Sequence, residues 1–100
     1  MVRRDGALVT DRHFTLRARR NGLETVRVAV VAPSTVGGSV KRQRARRRSR
    51  EAVRTVLKER ATAPGTDLLL VVRQPALSAQ FQELRAAVSR CLEGALGGAS

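Results

Sequence analysis

Apolar and polar residues alternate from Arg12 to Arg19. Phe14, Leu16 and Ala18 share one face, and His13, Thr15, Arg17 and Arg19 share the other. A period of two predicts a half-buried strand, here with a basic exposed face. Asn21-Gly22 follows, a pair that tolerates the positive φ values of a tight hairpin turn. The alternation returns from Thr25 to Ala32, with Val26, Val28, Val30 and Ala32 on one side and Arg27, Ala29 and Val31 on the other. Pro33 ends this second long strand, because proline cannot donate to a ladder. Ahead of both, Ala7-Leu8-Val9 is long enough for a brief edge strand.

After the loop Ser34 to Ser39 the period becomes helical. Ala45, Ser49, Ala52, Val53 and Val56 fall at offsets 0, 4, 7, 8 and 11, a narrow apolar stripe. Arg44, Arg47, Arg50, Arg54 and Lys58 fall opposite, flanked by Arg48. The stripe predicts a helix from about Val40 to Arg60 with Ser39 as its N-cap. Glu51, set three or four residues from Arg47, Arg48 and Arg54, is expected to hold arginine side chains in place. Pro64-Gly65 marks a turn. Asp67 to Val72 is a continuous apolar run after its first residue, which predicts a strand buried on both faces. Phe81, Leu84, Val88, Cys91, Leu92 and Ala95 then lie at offsets 0, 3, 7, 10, 11 and 14, the core stripe of a final helix capped by Ser78. Gly94 weakens its end. The chain reads as one domain over residues 1–100, with 1–5 and 97–100 frayed.

Charge decides the class of partner. Twenty Lys and Arg stand against eight Asp and Glu, a formal net charge of +12, and only Lys41 and Lys58 of the twenty are lysine. Seven of the ten residues from Lys41 to Arg50 are basic. Arginine's planar fork pairs with phosphate through two parallel bonds and stacks on bases, so a nucleic acid is the expected partner. A membrane surface is not, because a lipid-binding helix needs large apolar residues, and this one offers Ala, Ser and Val. A single cysteine, no apolar run near the roughly 18 residues of a membrane span and no signal-peptide core point to the cytoplasm.

No constellation for catalysis emerges. His13 is the only histidine and has no second acid–base group beside it in the pattern. The carboxylates are dispersed, Cys91 belongs to an apolar stripe, and no Cys/His spacing suggests a metal. Val36-Gly37-Gly38-Ser39-Val40-Lys41 puts glycines before a helix but lacks the spacing of a nucleotide-binding loop. The protein reads as a binder of RNA or DNA, with no catalytic residues and no metal site of its own and no small-molecule substrate.

The stretch Val36-Gly37-Gly38-Ser39-Val40-Lys41-Arg42-Gln43-Arg44-Ala45-Arg46-Arg47-Arg48-Ser49-Arg50-Glu51-Ala52 resembles the signature of the bacterial ribonuclease P protein component. Val36, Gly37, Val40, Arg42, Arg44, Arg47, Arg48 and Arg50 match in register. Arg12, Phe14, Leu16, Arg27, Val28, the Pro64-Gly65-Thr66-Asp67 turn with its apolar run, Arg73, Phe81, Glu83 and Leu84 extend the match from about Gly6 to Leu96.

The resemblance implies an α+β fold, a small α/β sandwich whose four-stranded sheet carries a left-handed β-α-β crossover. It implies a subunit of an endoribonuclease that removes the 5′ leader from precursor tRNA, with the chemistry in a catalytic RNA and Mg²⁺ held mainly by that RNA. Lys41, Arg42, Arg44, Arg46, Arg47, Arg48, Arg50 and Arg54 would contact the catalytic RNA. Arg12, His13, Arg17 and Arg19 would contact the leader. Three positions depart from the family. Gln43 stands for an asparagine, Pro33-Ser34-Thr35 for Ser-Lys-Lys, and only Met1 to Asp5 precede the match where the family has a further helix bearing a pair of aromatics. Leader binding is therefore expected to suffer more than RNA binding. A general RNA- or DNA-binding module of the same fold, or a truncated non-functional fragment, are the alternatives.

Overall fold

The computed structural model describes residues 7–59 and 65–97. Expectations for 1–5, for Arg60, for Pro64 and for 98–100 lie outside that range. Four strands and two helices follow in order: β1 (Ala7–Thr10), β2 (Phe14–Arg20), β3 (Val26–Val31), α1 (Ser39–Glu59), β4 (Thr66–Val72) and α2 (Phe81–Leu92). Short 3₁₀ turns at Ser34–Val36 and Gln74–Leu77 precede the helices, and a π-helical turn, Glu93–Gly97, extends α2.

The strands form one mixed sheet in the order β1-β2-β4-β3. β4 runs antiparallel to β2, with Leu16 opposite Leu70, and parallel to β3, with Val30 opposite the same Leu70. The expected hairpin between the two long strands is therefore not formed, because β4 lies between them. The Asn-Gly turn has another task. Asn21 accepts the Leu23 N–H (2.7 Å) and donates to the Thr25 carbonyl (3.2 Å) and to Asp67 Oδ1 (2.8 Å). Gly65 closes the clip, donating to the Thr25 carbonyl and accepting from the Asn21 N–H. Its φ of +83° suits glycine, and a Cβ there would lie 2.8 Å from the Leu23 carbonyl oxygen.

Both helices cover one side of the sheet. Phe14, Leu16 and Ala18 of β2, Val30 of β3 and Leu68, Leu70 and Val72 of β4 form a core with Ala45, Ala52, Val53 and Val56 of α1 and Leu84, Ala87, Val88, Cys91 and Leu92 of α2. The stripe read for α1 is the buried face, Ser49 included. Val28 points the same way yet stays 37% exposed, because β3 is an edge strand.

Three further expectations change. β4 is buried on one face only: Thr66, Leu68, Leu70 and Val72 are buried, whereas Asp67, Leu69 and Val71 are half-exposed on the side without helices. Ser39 is already helical, since the Gly38 carbonyl accepts the first bond, from the Arg42 N–H (2.9 Å). Gln80, not Ser78, caps α2, and its N–H donates to Glu83 Oε1 (3.0 Å). Gly94 is explained by close approach: a Cβ there would meet Val9 Cγ2 at 3.2 Å, so its absence lets the end of α2 pack on β1.

Candidate nucleic-acid interface

The buried stripe of α1 turns its arginines outward. Arg44, Arg47, Arg50 and Arg54 are exposed, as is Lys58 in the last turn. Lys41 is exposed in the first turn, against Gly37, while Arg42 and Arg46 are half-buried. Arg48 folds away from the others, and its guanidinium donates to the Ala79 carbonyl ahead of α2. Glu51 does less than its spacing suggests. It reaches Arg54 alone, at 3.9 Å, with both side chains mostly in water. The rest of the row therefore projects as an array of guanidinium forks.

The helix-free face of the sheet is a second basic surface. Registers place Leu8, Arg17, Leu69 and Ala29 side by side across it, with Thr15, Val71 and Val31 on one flank and Arg19, Asp67 and Arg27 on the other. A depression of about 340 Å³ is lined by Arg17, Arg19, Arg27, Asp67 and Leu69, among others. Asp67 pairs with Arg27 through two bonds of 2.8 Å. Hydrogen bonds from Arg27 and then Asn21, with the charges of Arg27 and Arg19, push its carboxyl down to about 2. A folded-state value below the ordinary 3.8 means that the pair stabilises the fold above pH 4 and is lost as pH falls toward 2. Asp67→Asn is therefore expected to reduce the loss of thermal stability over that interval, as measured by melting curves at fixed ionic strength.

The four residues proposed for the leader do not share this face. Arg17 and Arg19 lie on it. Arg12 and His13 precede β2 and line a separate cleft of about 640 Å³ with Gln74, Pro75, Ser78, Ala79, Glu83, Ala86 and Arg90. His13 is not on an exposed strand face. Its side chain is only 12% exposed, and Nδ1 lies 3.4 Å from Asp11 Oδ2. The reason is local: Asp11 Oδ2 accepts the His13 N–H (3.1 Å), a turn that folds the imidazole inward. Burial disfavours the Asp11 charge, but that bond and Arg90, whose Nε and Nη2 both donate to Oδ1 at 3.2 Å, outweigh it and hold the carboxyl below its usual range. Arg73 donates to the Asp11 carbonyl (2.7 Å).

Sequence reasoning missed this organisation around Asp11. The Asp-x-His spacing signals the turn, but nothing local signals a partner 79 residues away. Cys91 is buried, and burial, helped by the Asp11 charge, pushes its thiol up to about 11. Among the described residues no group of three or more His, Cys, Asp or Glu could hold a metal ion. No described helix is long and apolar enough to cross a membrane.

Comparison with known proteins bears on the same surfaces. The family model described as Ribonuclease P matches residues 1–96. The ribonuclease P protein component of Roseiflexus sp. (strain RS-1) is 39% identical over 95 residues, spanning 94% of this chain and 76% of that protein. The corresponding protein of Chloroflexus aggregans is 37% identical, over 94% of this chain and 69% of its own. Among solved structures, the RNase P protein of Thermotoga maritima, in complex with 1-(4-fluorophenyl)-2-thiourea, superposes with a TM-score of 0.74 at 22% identity, covering 88% of this chain and 84% of that one. The Staphylococcus aureus RNase P protein gives 0.69 at 20% identity, covering 88% and 79%. Both structures share the fold. With the basic motif now placed on the outer face of α1, and a family match running almost from end to end, the chain belongs to the ribonuclease P protein family.

Proposed function

We propose that this chain is the protein subunit of ribonuclease P. In that role it binds the catalytic RNA and assists endonucleolytic removal of the 5′ leader from precursor tRNA in the cytoplasm. The observation that carries the reading is the outward row Arg44, Arg47, Arg50 and Arg54 on a helix whose other face is locked into the core. Locked seating fixes the backbone positions from which the arginines extend before RNA arrives, which limits the backbone freedom lost on binding. Each fork donates two N–H bonds to phosphate oxygens. The positive field offsets repulsion between two RNAs that must come together. Arg17 and Arg19 supply cations for leader phosphates on the open sheet face, where Leu8, Ala29, Leu69 and Val71 offer apolar surface to bases.

Mg²⁺ in this reading is held by RNA. What supports this part of the reading is that two carboxylates near the basic surfaces are engaged elsewhere: Asp67, on the open face, accepts three bonds from Arg27 and Asn21, and Asp11 is committed to Arg90 and His13.

The test uses purified, RNA-free protein, ribonuclease P RNA transcribed in vitro and 5′-labelled precursor tRNA. The expected result is no cleavage by the protein alone, and cleavage by the mixture at Mg²⁺ concentrations where the RNA alone is slow. Leader-site cleavage by the RNA-free protein, or no binding to the catalytic RNA, would overturn the proposal.

A further inference from the structure

The cleft beside the start of β2 lies apart from both basic surfaces. We propose that it is a third RNA contact that receives a single unpaired nucleotide, with the phosphate on Arg12 and Arg90 and the base toward Glu83. This rests on the reading of RNA as the partner and adds a site to it.

Four observations carry the assignment. The cleft is open on one side, and its volume, about 640 Å³, falls in the range of small-ligand sites. Its charges are divided. Arg12 and Arg90 belong to the wall that carries Asp11, and Glu83 stands in the first turn of α2. A phosphate is repelled by Glu83 and drawn to Arg12 and to the donors of Arg90 that Asp11 leaves open, whereas the amino and imino groups of a base suit a carboxylate acceptor. Pro75, Ala79 and Ala86 provide apolar surface for the face of a base, and Gln74 and Ser78 add polar groups. Finally, Arg90 is held in place by Asp11 through both Nε and Nη2, and Ala79 is tied to α1 through Arg48. The wall is thus braced before any ligand enters, and it is joined to the helix that carries the main basic row. A paired duplex cannot present a base into such a recess; an unpaired nucleotide can.

The nucleotide could belong to the catalytic RNA or to precursor tRNA, and cross-linking separates the two. Cys91 is fully buried, so a cysteine introduced by Ser78→Cys is the accessible thiol for a photoreactive azidophenacyl group. Gln82→Cys, on the α2 surface that faces Glu59 and Arg85 instead, is the control. The labelled full chain is irradiated with ribonuclease P RNA alone and with that RNA plus precursor tRNA. A discrete cross-link from position 78, absent from position 82, to one unpaired nucleotide is the expected result, and the molecule that carries it names the source. Diffuse labelling, or the same pattern from both positions, overturns the proposal.

Affinity provides the second readout. Arg12→Ala should weaken binding by about fivefold at 0.15 M salt, the effect of one lost phosphate contact. Ser78→Glu should weaken it by more than Gln82→Glu, which changes net charge equally. Arg47→Ala, on α1, tests the partner reading separately. If Arg47→Ala weakens binding while Arg12→Ala stays within twofold of the unsubstituted chain and Ser78→Glu within twofold of Gln82→Glu, the cleft assignment alone fails. If Arg47→Ala is also silent, the reading of α1 as the RNA-binding face fails.

Discussion

Replacing Arg44, Arg47 and Arg50 together by alanine is expected to leave the fold intact and to remove most of the affinity for ribonuclease P RNA. All three side chains are exposed on α1, and none contributes to the core. Alanine is the best helix former, so the helix itself should not weaken. Each neutralised phosphate contributes about −0.7 to −0.9 to the slope of log K against log salt. Losing three such contacts should flatten the slope by roughly 2 to 3 units and lower affinity about 100-fold at 0.15 M salt, relative to a difference near zero at about 1 M. Filter binding across a salt series measures both quantities. An unchanged slope with a normal circular dichroism spectrum would show that the outward row does not meet phosphate.

Phe14→Ala is expected to have the largest effect on stability. Phe14 is 0% exposed, opens β2 opposite Val72, and is one of only two aromatic residues besides the single histidine. Truncating a buried phenylalanine removes its transfer free energy and leaves a cavity, at a cost of about 3–5 kcal/mol. A domain of this size has a total stability on the order of 5–15 kcal/mol. The melting temperature should therefore fall by about 12 °C or more, followed at 222 nm. A fall of only a few degrees would mean that the core does not close around this ring. Because His13 adjoins Phe14 and the Asp11 N–H donates to the Phe14 carbonyl, the same substitution should also loosen the cleft before it disrupts α1.

The two expectations differ in how plainly the sequence carries them. The α1 stripe is legible because a helix repeats its buried face every three or four residues, and Ala45, Ser49, Ala52, Val53 and Val56 obey that period without exception. The alternation in β2 is legible for the same reason. Period alone says which way a side chain points, however, and not which strand lies beside it. Asn21-Gly22 has the composition of a hairpin and sits in a connection that is not one, because its side chain bonds to Asp67 of the strand that intervenes. The run Leu68 to Val72 is apolar throughout, yet Leu69 and Val71 face the side without helices; an apolar run cannot report what covers its second face. The cleft was illegible for a third reason. Its walls come from the entrance to β2, the turn after β4 and the side of α2, and the pair that braces it, Asp11 with Arg90, has no periodic trace. Arg12 and His13 continue the β2 alternation in sequence, yet they line this cleft and do not join Arg17 and Arg19 on the open sheet face.

The position of β4 has a consequence for the order in which the chain can become a protein. β2 and β3 leave the ribosome early, and in the finished sheet neither touches the other; each bonds to β4, which is synthesised only after the whole of α1. A nascent chain ending before Thr66 has two long strands with no mutual ladder and a strongly basic helix whose partners in β4 and α2 are missing. The ladder between β1 and β2 is local, but the closing step must bring residues some forty to fifty positions apart into register, as Arg27 with Asp67 and Arg19 with Asp67. Such long-range pairing slows folding relative to a hairpin. Until it happens, the arginines of α1 are already exposed to the RNA-rich surroundings of their own synthesis, while the sheet that will orient them does not yet exist.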